Sequence, residues 1–201
     1  MEKGAVVLLL GVLVATPPVV AAQKTTAQVI AEAVSPLPES MRQGATVMAF
    51  TARGLETVRT GDNSMICLAD DPAREGFHAA CYHKDLEPFM ARGRELRAEG
   101  KDGNESRAIR FAEIEAGELA WPKQARALYS ISSDAEGGLD YGAGKIPGAA
   151  GLHVIYVPYA TEETIGVPTV PARNRPWLMH PGTPGAHLMI NVLPPGAGAD
   201  S

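Results

Sequence analysis

Two cysteines limit what this chain can fold into more than any other residues do. Cys67 and Cys81 are the only ones it has. If they bond, they fasten a short apolar run to the far end of a polar, proline-containing stretch. The bond would close a loop of about 15 residues, for which the chain-entropy argument gives roughly 3 kcal/mol. Whether the thiols oxidise depends on the compartment, and the N-terminus bears on that. Met1-Glu2-Lys3 is a short start with one basic side chain, and Ala5 to Ala15 is uncharged and mostly aliphatic. Pro17-Pro18 breaks any helix, because proline lacks the amide donor, and Val20-Ala21-Ala22 offers small residues for a peptidase. Residues 1–22 therefore read as a cleavable secretory signal peptide. A membrane anchor would need roughly 20 apolar residues, about twice what precedes the prolines. The expectation is export to a periplasmic or extracellular location, where an even cysteine pair reads as a disulfide. The spacing is nothing like C-x-x-C, so a redox dithiol is disfavoured.

After the cut, about 180 residues remain, enough for one domain with a substantial core. Hydrophobic content of 45% and charged content of 20% are ordinary globular values, so disorder is not the default. The net charge of −5, with both signs mixed, leaves no electrostatic footprint for nucleic acid and weakens a reading as an anionic-membrane binder. No second apolar run is long enough to span a bilayer.

Residues 23–43 read as a partly ordered linker, with a short helix over Thr26–Val34 ended by Pro36 and Pro38. Ala45–Phe50, Leu55–Thr60 and Met65–Leu68 are β-compatible runs. With Gly61-Asp62-Asn63-Ser64 as a turn, they predict an antiparallel meander. Ala69–His83 reads as loop. A helix follows, with Asp85 as its cap, Pro88 in its first turn, and Leu86, Phe89, Met90, Gly93 and Leu96 on one face. Arg92, Arg94, Glu95, Arg97 and Glu99 take the other face, which reads as solvated. Arg107–Ala116 is a second helix.

Strands return at Ala127–Ser132, His153–Tyr159, Trp177–His180 and His187–Val192. They flank a glycine-rich stretch, residues 134–151, that reads as a mobile loop. The sum is an α+β fold: a mostly antiparallel sheet of about six or seven short strands, with two helices inserted mid-chain and one disulfide. The domain spans residues 44–193, and residues 194–201 are a flexible tail.

Motifs for chemistry are nearly absent. Gly142-Ala143-Gly144-Lys145 lacks both the earlier glycine and the Ser or Thr of a phosphate loop, and no nucleophile elbow or zinc-protease helix is present. What stands out is histidine placement. If Trp177–His180 and His187–Val192 form a hairpin, His180 and His187 face each other at its mouth, close enough to share one metal ion. His83, from the stretch that carries Cys81, would be a third ligand. Three histidines with an open position suit a divalent transition metal such as zinc, and hydrolysis.

Three stretches resemble a group of small exported bacterial proteins of unknown function: Gly44-Ala45-Thr46-Val47-Met48, Cys67 through Asp70-Asp71-Pro72, and Gly182-Thr183-Pro184-Gly185-Ala186-His187-Leu188-Met189. The resemblance implies a bacterial, exported origin and carries no catalytic role. The first functional expectation is a non-catalytic domain that binds a small ligand or a protein partner through its loops. The alternatives are a metal-dependent hydrolase using His83, His180 and His187, and a structural envelope-associated protein.

Overall fold

The computed structural model describes residues 24–134, 138–143 and 145–192. The signal peptide expected over residues 1–22 and the tail expected over residues 194–201 lie outside these. Among the described residues no helix is long and apolar enough to cross a membrane.

The fold is α+β around one sheet, larger than the sequence suggested. Its strands are β1 (Thr46–Thr51), β2 (Gly54–Arg59), β3 (Met65–Leu68), β4 (Phe77–His83), β5 (Arg126–Ser133), β6 (Ala150–Tyr156), β7 (Trp177–Met179) and β8 (His187–Val192). They lie in the order β2-β1-β3-β4-β5-β6-β8-β7. Every neighbouring pair is antiparallel except β1 with β3. The helices are α1 (Thr26–Ala33), α2 (Glu39–Arg42), α3 (Glu87–Ala98), α4 (Gly103–Glu115) and α5 (Glu162–Ile165). The hairpin of α3 and α4 is inserted between β4 and β5, which are themselves paired.

The expected meander of the first three strands is corrected by that parallel pair. After β2 the chain crosses the start of β1 and enters the sheet on its far side. Gly61 makes the crossing possible, since a Cβ there would lie 2.1 Å from the Gly44 carbonyl oxygen. Asn63 then pins the crossing: its amide donates to Gly44 O (2.9 Å), its side chain donates to Met41 O (2.8 Å) and accepts from the Met65 amide (2.9 Å).

The stretch expected as loop up to His83 contains β4, near the middle of the sheet. Between Phe77 and Tyr82, its His-Ala-Ala-Cys middle has little intrinsic strand preference; two neighbours and the disulfide hold it instead. Cys67 and Cys81 are directly opposite in the β3–β4 register and are bonded, with Cα atoms 4.0 Å apart. Both are fully buried.

Residues paired across the strands share a face of the sheet. One face presents Val47, Ala49, Met65, Cys67 and Cys81, on which Ala33, Val34 and Leu37 pack. The lead-in is therefore part of the core rather than a linker. A reciprocal capping box between Thr25 and Gln28 starts α1, and Ala33 and Leu37 are almost wholly buried. Further along this face, Val157, Ala160, Ile165 and Val167 cover Leu178 and Leu188.

The described part of the glycine-rich stretch is tied to the same layer. Glu32, 1% exposed, accepts from Lys24 Nζ (2.8 Å), the Leu139 amide (3.2 Å) and the Tyr141 hydroxyl (3.0 Å). Asp140 and Lys145 form an isolated bridge. Up to the start of β6 these residues form turns rather than a helix or strand, as expected of a loop.

The opposite face carries the α3–α4 hairpin. Asp85 does not cap α3. His83 accepts the Asp85 amide through Nδ1 (3.2 Å), and the Asp85 carboxylate pairs with Arg126 at 2.7 Å. Arg126 holds that carboxylate below its ordinary range. Leu86 occupies the N-cap position of α3 and makes no side-chain capping bond, whereas α4 is capped by Asp102, which accepts the Asn104 and Glu105 amides.

Candidate functional site

The cleft between the hairpin and the sheet is closed at one end and open at the other. The open end is a cavity of about 590 Å³. Its floor is Leu68 on β3, Ala80 on β4, and Leu128 and Ser130 on β5; Ala80 and Ser130 are directly opposite each other. Two short side chains at paired positions leave the middle of the floor low. Phe50 and Leu55, also cross-strand partners, form the outer wall, and Phe50 is 36% exposed. The roof is a stripe of α3, Met90, Gly93, Arg94 and Arg97, recurring at helical spacing.

Gly93 is placed for close approach. A Cβ there would meet the Arg110 guanidinium at 2.8 Å, so the glycine lets Arg110 of α4 lie across α3. Arg110 donates to Ser106 O (3.1 Å) and Phe89 O (3.2 Å) and sits 3.8 Å over the Phe89 ring. Among the described residues it makes no ion pair with a carboxylate, though Glu113 acts on it from a distance.

Arg94 is neutralised locally. It donates to Glu87 (2.5 Å) and to the Tyr82 hydroxyl (3.2 Å), and Tyr82 donates in turn to Glu87 (2.5 Å). Burial, reinforced by Glu87, pushes the Tyr82 hydroxyl above its ordinary range. The exposed face expected for α3 is thus divided. Arg92 is bound by Glu95, Glu99 and Glu113, while Arg94 and Arg97 line the cavity.

His78 opens from β4 into the cavity. Its ring reaches solvent, yet the surrounding walls desolvate it and hold its pKa below the usual value; Arg74 and Arg97 push the same way, and Asp70 opposes them. The Asp70 carboxylate accepts the His78 amide (2.9 Å). Burial raises its pKa against that bond and against Lys24.

At the closed end, aromatic rings form a continuous circuit. Phe89 meets Trp121 at 4.7 Å, Trp121 meets Tyr156 at 5.4 Å and Tyr156 meets His187 at 5.1 Å. His187 meets His180 at 5.5 Å, His180 meets Phe111 at 6.0 Å, and Phe111 returns to Phe89 at 6.3 Å. The Trp121 indole donates to Pro184 O (2.8 Å), fixing the turn that joins β7 to β8. Gly185 in that turn lies against Phe111, where a Cβ would be 2.3 Å from the ring. The Tyr156 hydroxyl is pushed up to about 12 by burial.

The sequence-derived histidines separate at this point. His180 and His187 do meet, as the hairpin geometry predicts, with Met179 opposite His187 and His180 just beyond the strand in a left-handed conformation (φ 51°). His83 does not join them. It is paired with Met65 on the α1 side of the sheet, opposite to His187, and its Nδ1 is engaged by the Asp85 amide. Among the described residues no group of three His, Cys, Asp or Glu side chains is placed to hold a metal ion. The His83, His180 and His187 ligand set is therefore not assembled.

The His187 Nδ1 lies 2.7 Å from Gly185 O, which can only accept, so the proton is on Nδ1. Burial holds both His180 and His187 below the usual histidine pKa, and both are neutral near pH 7. Their edge-to-face contacts with Phe111 and with each other make them members of the packed circuit.

The open cavity is what the sequence reading missed. Its one available signal was Gly93, since a glycine inside a helix costs about 1 kcal/mol relative to alanine and usually marks a packing need. Comparison with known proteins finds no matching family model, no matching curated protein and no matching solved structure.

Proposed function

We propose that this chain is an exported, non-catalytic domain that binds a small molecule with an apolar body in the cavity between α3 and the sheet. The cavity itself carries the reading. Its 590 Å³ falls within the roughly 300–1,000 Å³ of small-molecule sites. Its floor is built on strands held from both sides, so the site is formed before anything enters it. The buried disulfide is compatible with an oxidising compartment.

Nile red, a neutral apolar dye, tests the reading. Its fluorescence should rise saturably on titration with the folded protein. Ala80→Trp places an indole on the cavity floor and should abolish the rise, while changing stability by no more than about 1 kcal/mol. A dye signal that is non-saturable, or that survives Ala80→Trp in a folded protein, contradicts the proposal.

A further inference from the structure

Resting on that reading, we infer that the bound molecule is an anionic amphiphile, a carboxylate- or phosphate-headed chain. Its head lies among Arg74, Arg97 and Arg110, and its tail on Leu68, Ala80 and Leu128.

The charges carry the assignment of the head. Among the described residues four arginines have carboxylate partners, Arg53 with Glu56, Arg92 with Glu113, Arg94 with Glu87 and Arg126 with Asp85, while Arg42 and Arg59 donate to backbone carbonyls. Of the four arginines that line the cavity, only Arg94 has a carboxylate partner among the described residues. The Arg74 and Arg97 side chains make no hydrogen bond or ion pair among the described residues; both are exposed, line the cavity and act electrostatically on His78. Arg97 also acts on Arg110, whose partners are two carbonyls and an aromatic ring. Arg74, Arg97 and Arg110 thus line one cavity without an ion pair among the described residues; Arg110 is the partly buried one of the three and feels Glu113 from a distance, and charge-assisted bonds to an anion are open to each.

Three carboxylates also line the cavity, and none pairs with these arginines. Asp70 is engaged by the His78 amide and is coupled to Lys24 and Glu32. Asp71 accepts the Ala73 amide (3.0 Å) within its own turn. Glu75 is exposed at the rim.

The chemistry of the two walls then fixes the class of ligand. Guanidinium forks bind carboxylate and phosphate oxygens in pairs of charge-assisted bonds. Apart from the Ser130 hydroxyl, which donates to Leu152 O (3.4 Å), the remaining floor and outer wall, down to the exposed ring of Phe50, offer apolar contact. One molecule satisfies both when it has an anionic head and a hydrocarbon tail.

The experiment is displacement of Nile red by four ligands that share a ten-carbon chain: decanoate, decyl phosphate, 1-decanol and decyltrimethylammonium. Charge-assisted binding of the head predicts that the anions displace the dye at concentrations about tenfold or more below the alcohol and the cation. The order of decanoate and decyl phosphate tells a carboxylate head from a phosphate head. In the double variant Arg74→Gln, Arg97→Gln, the ratio of decanoate to decanol should fall towards one. Because this is a ratio within one protein, a general loss of affinity does not mimic it. If decanol displaces as well as decanoate, or the double variant keeps the preference, the head assignment is overturned while the cavity remains a binding site. If Nile red shows no saturable binding, the binding site and this inference fall together.

Discussion

The closed and open ends of the cleft stand on the same sheet and under the same helical hairpin. At the closed end the strands contribute Tyr156 and His187, and the helices and their exit contribute Phe89, Phe111 and Trp121, so rings meet at 4.7–6.3 Å and close the space. At the open end the strands contribute Ala80 and Ser130, and α3 contributes Gly93 and two arginines. Backbone architecture does not differ between the two; side-chain volume at a few facing positions does. Packing to interior density is decided position by position. A run of small residues across paired strands is as much a construction as a run of large ones.

Three perturbations bear on this contrast, the largest first. Phe89 is 4% exposed and touches Phe111, Trp121 and Tyr156. Phe89→Ala should cost about 3–5 kcal/mol in urea unfolding, the range for deleting a buried aromatic ring. A loss below about 1 kcal/mol would mean the closed end is loosely packed.

Replacing both cysteines by alanine should cost about 3 kcal/mol by the same measurement. Nile red binding should survive under native conditions, because the disulfide faces α1 on the other side of the sheet. Loss of both properties together would show that the two faces are not separable.

The pH dependence is smaller, and two of the five histidines whose pKa values burial lowers lie at the closed end. Burial lowers the pKa values of His180 and His187 in the folded state. The unfolded chain therefore binds protons first as pH falls. The stabilisation is fully present above about pH 6.5, the unfolded histidine value, and is lost as pH drops through the folded values. Unfolding midpoints between pH 7.5 and pH 5 should decline, and His180→Gln, His187→Gln should flatten that slope. An unchanged slope would assign the decline to His78, His83 and His153, whose pKa values are also lowered by burial.

Much of the fold was legible in the chain. Met65–Leu68 and His187–Val192 appear where β-branched and alternating residues place them. The cysteine pair and the meeting of His180 with His187 follow from local spacing. β4 was not legible, because His-Ala-Ala-Cys carries little strand signal and becomes a strand only between β3 and β5. The parallel crossing was hidden in Gly61, whose role depends on Gly44, distant in sequence and adjacent in space. The cavity was hidden for the same reason. Ala80 and Ser130 are unremarkable until the β4–β5 register sets them side by side. The third histidine failed on face parity, since His83 and His187 point to opposite sides of the sheet.

The most direct test of the contrast is an amide chemical-shift titration of the ¹⁵N-labelled protein with decanoate. The account predicts perturbations centred on Ala80, Ser130, Gly93 and Arg97, with His187 and Trp121 little changed. Perturbations centred on Trp121, Tyr156 and His187, with Ala80 and Ser130 silent, would contradict it.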